Sequence, residues 1–361
     1  KKKSTRESST EAAASEEEST VIEGSSSAWP NSLIGKNISY EVPLKAKTTG
    51  INIRKLIRKV TVKLAGKKVT DSVNEEQAKE GDTIKLLNRV DVHFRRGRMT
   101  CLMGTSGAGK TTLLDVMAGY KTGGTITGHI LIDGKDKDPK TWKKISGYAE
   151  QQDILNPYLS VLETLRFTAS CRLPKSADKE KVIQRVLRLM DLEEWVDHIV
   201  GREKDGEGLP KHARKRVTIA VELVSLPKIL FLDEPTTGLG TNAAALVMNA
   251  VRQATDAMGL ITVATIHQPS KTIFDAFDDV LLLTKGGRMT YMGESGSQLL
   301  DYFGTLTSDS APEQCNPADF CLSVLAGMEP SDAQSSFDKS DVCKMLVKGI
   351  EDEMERGKKM P

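Results

Sequence analysis

Aromatic residues are scarce in this chain, 5% of 361. No apolar run reaches the roughly 18 residues that a bilayer-spanning helix needs. Cysteine is sparse and badly spaced: Cys101, Cys171, Cys315, Cys321 and Cys343 form no Cys-x-x-Cys pair and are odd in number. That pattern argues against a zinc ribbon or a disulfide framework and fits reduced, structural thiols in a cytosolic setting. A dominant charge sign is missing too. Lys and Arg number 51 against 49 Asp and Glu, a net charge of +2, without the basic excess of a nucleic-acid binder. There is no signal peptide, and a first residue Lys1 in place of Met reads as a fragment. What remains, 39% hydrophobic and 28% charged residues, is globular material with enough length for one large domain or two ordinary ones.

Residues 1–28 hold Ser, Thr, Glu, Ala and Lys with almost no bulky apolar side chains. Such a segment cannot bury enough surface to offset the entropy of ordering, and it reads as a disordered polar linker. Folded sequence is expected from about Trp29, with Ile38–Val42 as a first strand. Residues 45–80 read as an insertion. Its part 45–68 carries nine Lys or Arg and no acid, with Ile53, Leu56, Ile57, Val60 and Leu64 at helical spacing. A solvated insertion and a helix lying on an anionic membrane surface both fit that pattern, the first more simply.

Beyond Gly81 the pattern becomes regular. LLNRVDVHF and RMTCLM read as strands, TTLLDVMAGY as a helix, ITGHILIDG as a hairpin and DKEKVIQRVLRLMDLEEWVD as one long amphipathic helix. KILFLDEP and GLITVATIHQP are apolar runs of strand length that stop abruptly at polar residues. Buried parallel strands between helices look like this, and such α/β sheets bind ligands at the carboxyl ends of their strands.

Three groups of polar residues fall at those ends. Gly104-Thr105-Ser106-Gly107-Ala108-Gly109-Lys110-Thr111 fits GxxxxGK[ST] between a strand and a helix. Its glycines let the backbone wrap phosphates, Lys110 would neutralise them, and the Thr111 hydroxyl would ligate Mg²⁺. In KILFLDEP, Asp233 stands where Mg²⁺ needs a carboxylate, and Glu234 faces the other way, where it could polarise water. His267 ends the strand Ile261–Ile266, where a neutral imidazole could hold that water and Glu234 in register. Gln151, in GYAEQQD, could sense metal and water.

Taken together, GTSGAGKTTLLDVMAG, GYAEQQD, RKRVTIAVELV, LFLDEPTTGL and TIHQPS resemble an ATP-binding cassette. The likeness is to the G-type, pleiotropic-drug-resistance branch, and within it most to the second nucleotide-binding domain of a full-size transporter. It covers roughly Asn37–Met328, except for the insertion. The fold it implies is an α/β P-loop ATPase: a RecA-like parallel sheet core, an antiparallel β subdomain and a helical subdomain over residues 155–225 that carries the signature helix. The domain would run over residues 29–330, with 331–361 an amphipathic tail toward a membrane domain. By the same resemblance, residues Gly104 to Thr112 and Tyr40 bind ATP, Tyr40 as the aromatic against adenine. Thr111, Asp233 and Gln151 hold Mg²⁺, and Glu234, His267 and Gln151 serve hydrolysis. The implied partners are a second cassette in an ATP sandwich, asymmetric here, and transmembrane domains; nucleic acid is not among them. The implied place is the cytoplasmic face of a membrane, the plasma membrane first.

Two departures stand out. The signature motif, LSGGQ-like in the family and placed before a helix expected here from Arg214, reads Leu209-Pro210-Lys211-His212-Ala213. Serine and both glycines are gone, and Pro210 has no N–H. In TTGLG, Gly240 replaces the Asp usual in the family. Both losses affect what the domain gives its partner and spare its own phosphate loop, carboxylates and histidine. The losses suggest one competent and one weak site; the resemblance implies an exporter of lipophilic compounds, drugs or lipids. A regulatory module that binds ATP with little hydrolysis is the alternative. A soluble cassette ATPase acting on DNA or ribosomes lacks support, since the chain has no sustained heptads and one phosphate loop.

Overall fold

The computed structural model describes residues 30–43, 83–202, 208–307 and 316–359. The polar leader at 1–28 and the basic insertion at 45–80 therefore lie outside the described residues.

Two sheets organise the chain. In the first, β1 (Ser32–Pro43) runs antiparallel between β2 (Thr83–Arg95) and β4 (Thr125–Ile132), and the two-residue β5 (Lys135–Asp136) closes the β4 hairpin. The second has the order β10-β9-β3-β8-β7-β6. Its β3 (Met99–Gly104), β6 (Ser146–Ala149), β7 (Ile229–Leu232), β8 (Ile261–Thr265) and β9 (Asp279–Thr284) are parallel, and β10 (Arg288–Glu294) is an antiparallel edge. Every residue of β7, β8 and β9 is buried, as a sheet covered on both faces requires.

Helix α1 (Lys110–Ala118) follows β3, and α2 (Pro139–Ile145) leads into β6. Between β6 and β7 come α3 (Val161–Arg172), α4 (Lys179–Leu189) and α5 (Lys211–Leu223), which pack on one another. Helix α3 begins with a capping box, Ser160 with Glu163. That reciprocal pair satisfies two of the free N–H groups at a helix start. Helix α6 (Thr241–Met258) leads from β7 to β8, and α7 (Lys271–Phe274) leads from β8 to β9.

Two boundaries differ from the sequence reading. The long helix expected over residues 178–197 ends at Leu189, and only a 3-10 turn at Glu193–Trp195 follows. Asp191 takes a left-handed backbone (φ 50°), and its carboxylate receives Arg216 Nη1 at 2.7 Å. A tertiary ion pair overrides the local helical pattern there. Helix α5 starts at Lys211, three residues before the expected Arg214, with Pro210 as its N-cap. Proline fits because its fixed φ, −61° here, suits an extended cap and its missing N–H is not needed there. Arg214, Lys215, Arg216 and Thr218 are buried along with Val217, Ile219 and Ala220, whereas Val221 is only half-buried.

The carboxyl-terminal residues fold back onto the sheets. After α8 (Ser297–Gly304) and α9 (Pro317–Ala326), α10 (Pro330–Asp338) packs on β10, and α11 (Asp341–Lys359) lies across β10, β2, β1 and β5. Contact is backbone to backbone at one point: a Cβ on Gly357 would lie 2.4 Å from the Asp133 carbonyl oxygen.

Candidate active site

The phosphate loop joins β3 to α1. Gly104, Gly107 and Gly109 have φ of 150°, 76° and 92°, a path that side chains resist. A Cβ on Gly104 would sit 2.0 Å from the Leu283 carbonyl oxygen, so the turn has no room for one. Gly109 caps α1 without any side-chain hydrogen bond, which leaves the first N–H groups of the helix for an anion. Lys110 bends back over the loop, and its Nζ donates to the carbonyls of Gly104 (2.9 Å) and Thr105 (3.3 Å). Burial pulls this ammonium below its ordinary range, while Glu234 and Asp233 oppose the shift. Thr105 Oγ1 is buried without a partner. Ser106 and Gly107 are exposed, Ala108 is buried and Thr112 is half-buried.

The carboxylates stand where β7 ends. Thr111 Oγ1 donates to Asp233 Oδ1 at 3.1 Å. Burial raises the Asp233 carboxyl above its usual range, and the hydroxyls of Thr265 and Thr111 counter part of that. Glu234 has a left-handed backbone (φ 48°), which turns its side chain toward Gln151. Its Oε2 accepts from Gln151 Nε2 at 2.5 Å and from Thr237 Oγ1 at 2.9 Å. His267 is exposed two residues beyond β8 and, among the described residues, makes no hydrogen bond to Glu234 or Gln151.

Sequence reasoning missed Thr265. Wholly buried at the end of β8, it donates Oγ1 to Asp233 Oδ1 at 2.7 Å and accepts the Glu234 N–H at 2.7 Å. One hydroxyl thus ties both carboxylate residues to the neighbouring strand. A polar residue inside the apolar run ITVAT was the available signal.

Among the described residues, the Tyr40 hydroxyl bonds outside this group. Tyr40 is buried in β1, its hydroxyl donates to the Gly123 carbonyl at 2.8 Å, and the Gly124 backbone lies against its ring. In the β1–β2 register Tyr40 pairs with Leu87, whose Cδ2 would lie 3.3 Å from a Cβ on Gly109 of the phosphate loop.

The segment before α5 is tightly built. Gly208 crosses the Val200–Gly201 backbone so closely that a Cβ would meet it at 2.5 Å, and Leu209 is buried. Pro210 offers α5 no side-chain cap. Lys211 extends toward the loop after β7, where a Cβ on Gly238 would lie 2.6 Å from its Nζ.

A glycine loop between a parallel strand and a helix, facing a carboxylate pair on a nearby strand of the same sheet, defines a P-loop nucleoside triphosphatase. The ABC transporter family matches residues 87–237, and the ABC-2 type transporter family matches residues 267–357. The chain is 47% identical over 256 residues to ABC transporter G family member 40 of Arabidopsis thaliana, covering 69% of this chain and 18% of that protein. It is 43% identical over 257 residues to G family member 10 of Dictyostelium discoideum. In fold it is similar to a dimeric bacterial ABC transporter cassette, with a TM-score of 0.52, 19% identity and coverage of 73% of this chain and 99% of the other. An ATP-binding subunit of an ABC transporter gives a TM-score of 0.55 at 19% identity, over 81% of this chain and 99% of that subunit.

This chain belongs to the ATP-binding cassette family and carries a nucleotide-binding ATPase domain of its G-type branch. It spans about a fifth of the length of the G-family relatives it matches. Among the described residues, no helix is long and apolar enough to cross a membrane.

Proposed function

We propose that the domain powers an exporter of lipophilic compounds, drugs or lipids, that it contributes the phosphate-loop half of a competent ATP site, and that it lends a weak signature to the other site. The observation that carries this reading is the contrast between two parts of one chain. The phosphate loop, Thr111, Asp233, Glu234 and Gln151 form one bonded constellation, whereas Pro210 and Gly240 cap their helices with no side-chain bond. Removing one transition-state donor typically costs about 10²–10³ in rate, and several are absent here.

The residues fit the groups the family implies. The Gly104–Lys110 turn, the uncapped start of α1 and the unpartnered Thr105 hydroxyl suit the phosphates of ATP. Thr111 and Asp233 offer Mg²⁺ a hydroxyl and a carboxylate; among the described residues no cluster of three His, Cys, Asp or Glu competes for a metal. When bound, Mg²⁺ neutralises charge on the phosphates. Lys110 leaves the loop carbonyls to meet the same charge. Glu234, with Gln151 against its carboxylate, orients the attacking water and accepts its proton. His267, exposed beyond the end of β8, would contact the γ-phosphate. The partners this reading requires are a second cassette with an intact signature and membrane domains, at the cytoplasmic face of a membrane such as the plasma membrane.

Replacing Glu234 by Gln should abolish turnover and leave ATP binding within about twofold, since the amide keeps the shape and loses the base. Turnover that survives Glu234→Gln contradicts this assignment. Slow turnover by the unaltered chain with every partner ratio would favour the regulatory ATP-binding module that the weak signature also allows.

A further inference from the structure

Arg214, Lys215 and Arg216 are consecutive, cationic and all buried in α5, a place where such residues are rare unless paired. Two of them serve the helix surroundings. Arg214 Nη2 donates to the Leu209 carbonyl at 3.1 Å, and Arg216 Nη1 donates to Asp191 and to the Met190 carbonyl. Lys215 points elsewhere. Its Nζ meets Asp153 Oδ1 at 2.6 Å, the Gln151 carbonyl at 2.9 Å and the Glu150 carbonyl at 3.4 Å. Three acceptors match the three protons of the ammonium. One turn further on, Thr218 Oγ1 donates to the same Asp153 Oδ1 at 2.9 Å.

Residues 150–153 need such an anchor. They follow β6, which ends at Ala149, and have no regular structure. Glu150, Gln151 and Gln152 are exposed. Gln151 is the residue whose amide reaches Glu234, so an unbroken path runs from Lys215 through the Gln151 backbone and side chain to that carboxylate.

The geometry points to Lys215 as a positioning residue for hydrolysis at this chain's own phosphate loop: with Asp153 and Thr218 it fixes the 150–153 segment so that Gln151 holds Glu234. The inference rests on the proposed role of Glu234. It also gives α5 a purpose that does not depend on its amino-terminal mouth. The first turn of the helix can lose its phosphate-binding residues while its body still orders the water-activating group of this chain's own site.

The test is a double-mutant cycle on the complete chain paired with an intact-signature cassette, reading kcat, KM and nucleotide affinity. Lys215→Met should lower kcat by roughly tenfold, as expected for a misplaced catalytic group, with ATP affinity within twofold of the original. In a Gln151→Ala background it should lower kcat no further, because the path is already cut. Equal kcat for Lys215→Met and the parent, or effects that multiply in the double variant, would overturn the inference. Should Lys215→Met fail to fold, Thr218→Val takes its place in the cycle: it keeps the ion pair, is expected to lower kcat two- to threefold, and must be equally non-additive with Gln151→Ala. Glu234→Gln separates the two readings. Surviving turnover there removes the proposed base, whereas lost turnover combined with an additive Lys215 effect removes only the positioning role.

Discussion

Thr265 shows how much one hydroxyl can decide. It bridges Asp233 and the Glu234 N–H from the next strand, and it supports the left-handed backbone at Glu234. Thr265→Val keeps the shape but leaves that N–H unpaired, at a cost of about 1–3 kcal/mol. Turnover should fall at least tenfold, and Thr265→Ser should restore most of it; an unimpaired valine variant would show that the bridge is dispensable. His93 gives a residue-scale prediction about pH. Burial first, then the nearby Arg95 and Arg356 charges, push its imidazole down to about 4, while Asp279 resists. The unfolded chain takes up this proton near pH 6.5 and the folded chain only near 4, so stability falls as pH drops through that window. Urea unfolding of the wild type and His93→Gln should therefore show the wild type losing up to about 2 kcal/mol relative to the variant between pH 7 and pH 5. A constant difference between the two would rule this out.

At the scale of elements, legibility followed burial. β7 and β8 are apolar runs because both faces of the sheet are covered, and their polar stops placed Asp233 and His267 at the correct edge. The phosphate loop was legible because only glycines tolerate its path. The end of α4 was not, since it depends on Arg216 reaching Asp191 from another helix. Nor was the start of α5, where proline serves as the cap. Tyr40 was legible as a strand residue, yet nothing in its neighbours announced the glycine turn that covers it. Lys215 and Asp153 were invisible as a pair because the fold brings them together across a long sequence separation. Gly240 supplies an element-scale prediction. Its φ of −70° suits any residue, a Cβ there meets open space, and it caps α6 without a side-chain bond. Gly240→Asp should add a cap worth a few tenths of a kcal/mol and raise the thermal midpoint slightly. A lower midpoint would mean that the loop resists the charge.

On the scale of the whole molecule, the chain separates what it keeps from what it gives away. In the proposed function, the bonded constellation around Asp233 and Glu234 serves the chain's own nucleotide, and α5 anchors the segment that carries Gln151. The altered residues Leu209–Ala213 and Gly240 belong to surfaces that the proposed sandwich presents to the other site. The fold-back of α10 and α11 onto the sheets joins residues 330–359 to the cassette as part of its body. Asymmetry predicts a difference in ATP turnover between this chain alone and this chain mixed with a cassette that has an intact signature, with Glu234→Gln as the blank. Turnover that arises only in the mixture, and disappears with Glu234→Gln, is the predicted result. Equal turnover by the chain alone would show that Pro210, Lys211 and His212 can serve a phosphate, and would contradict the account.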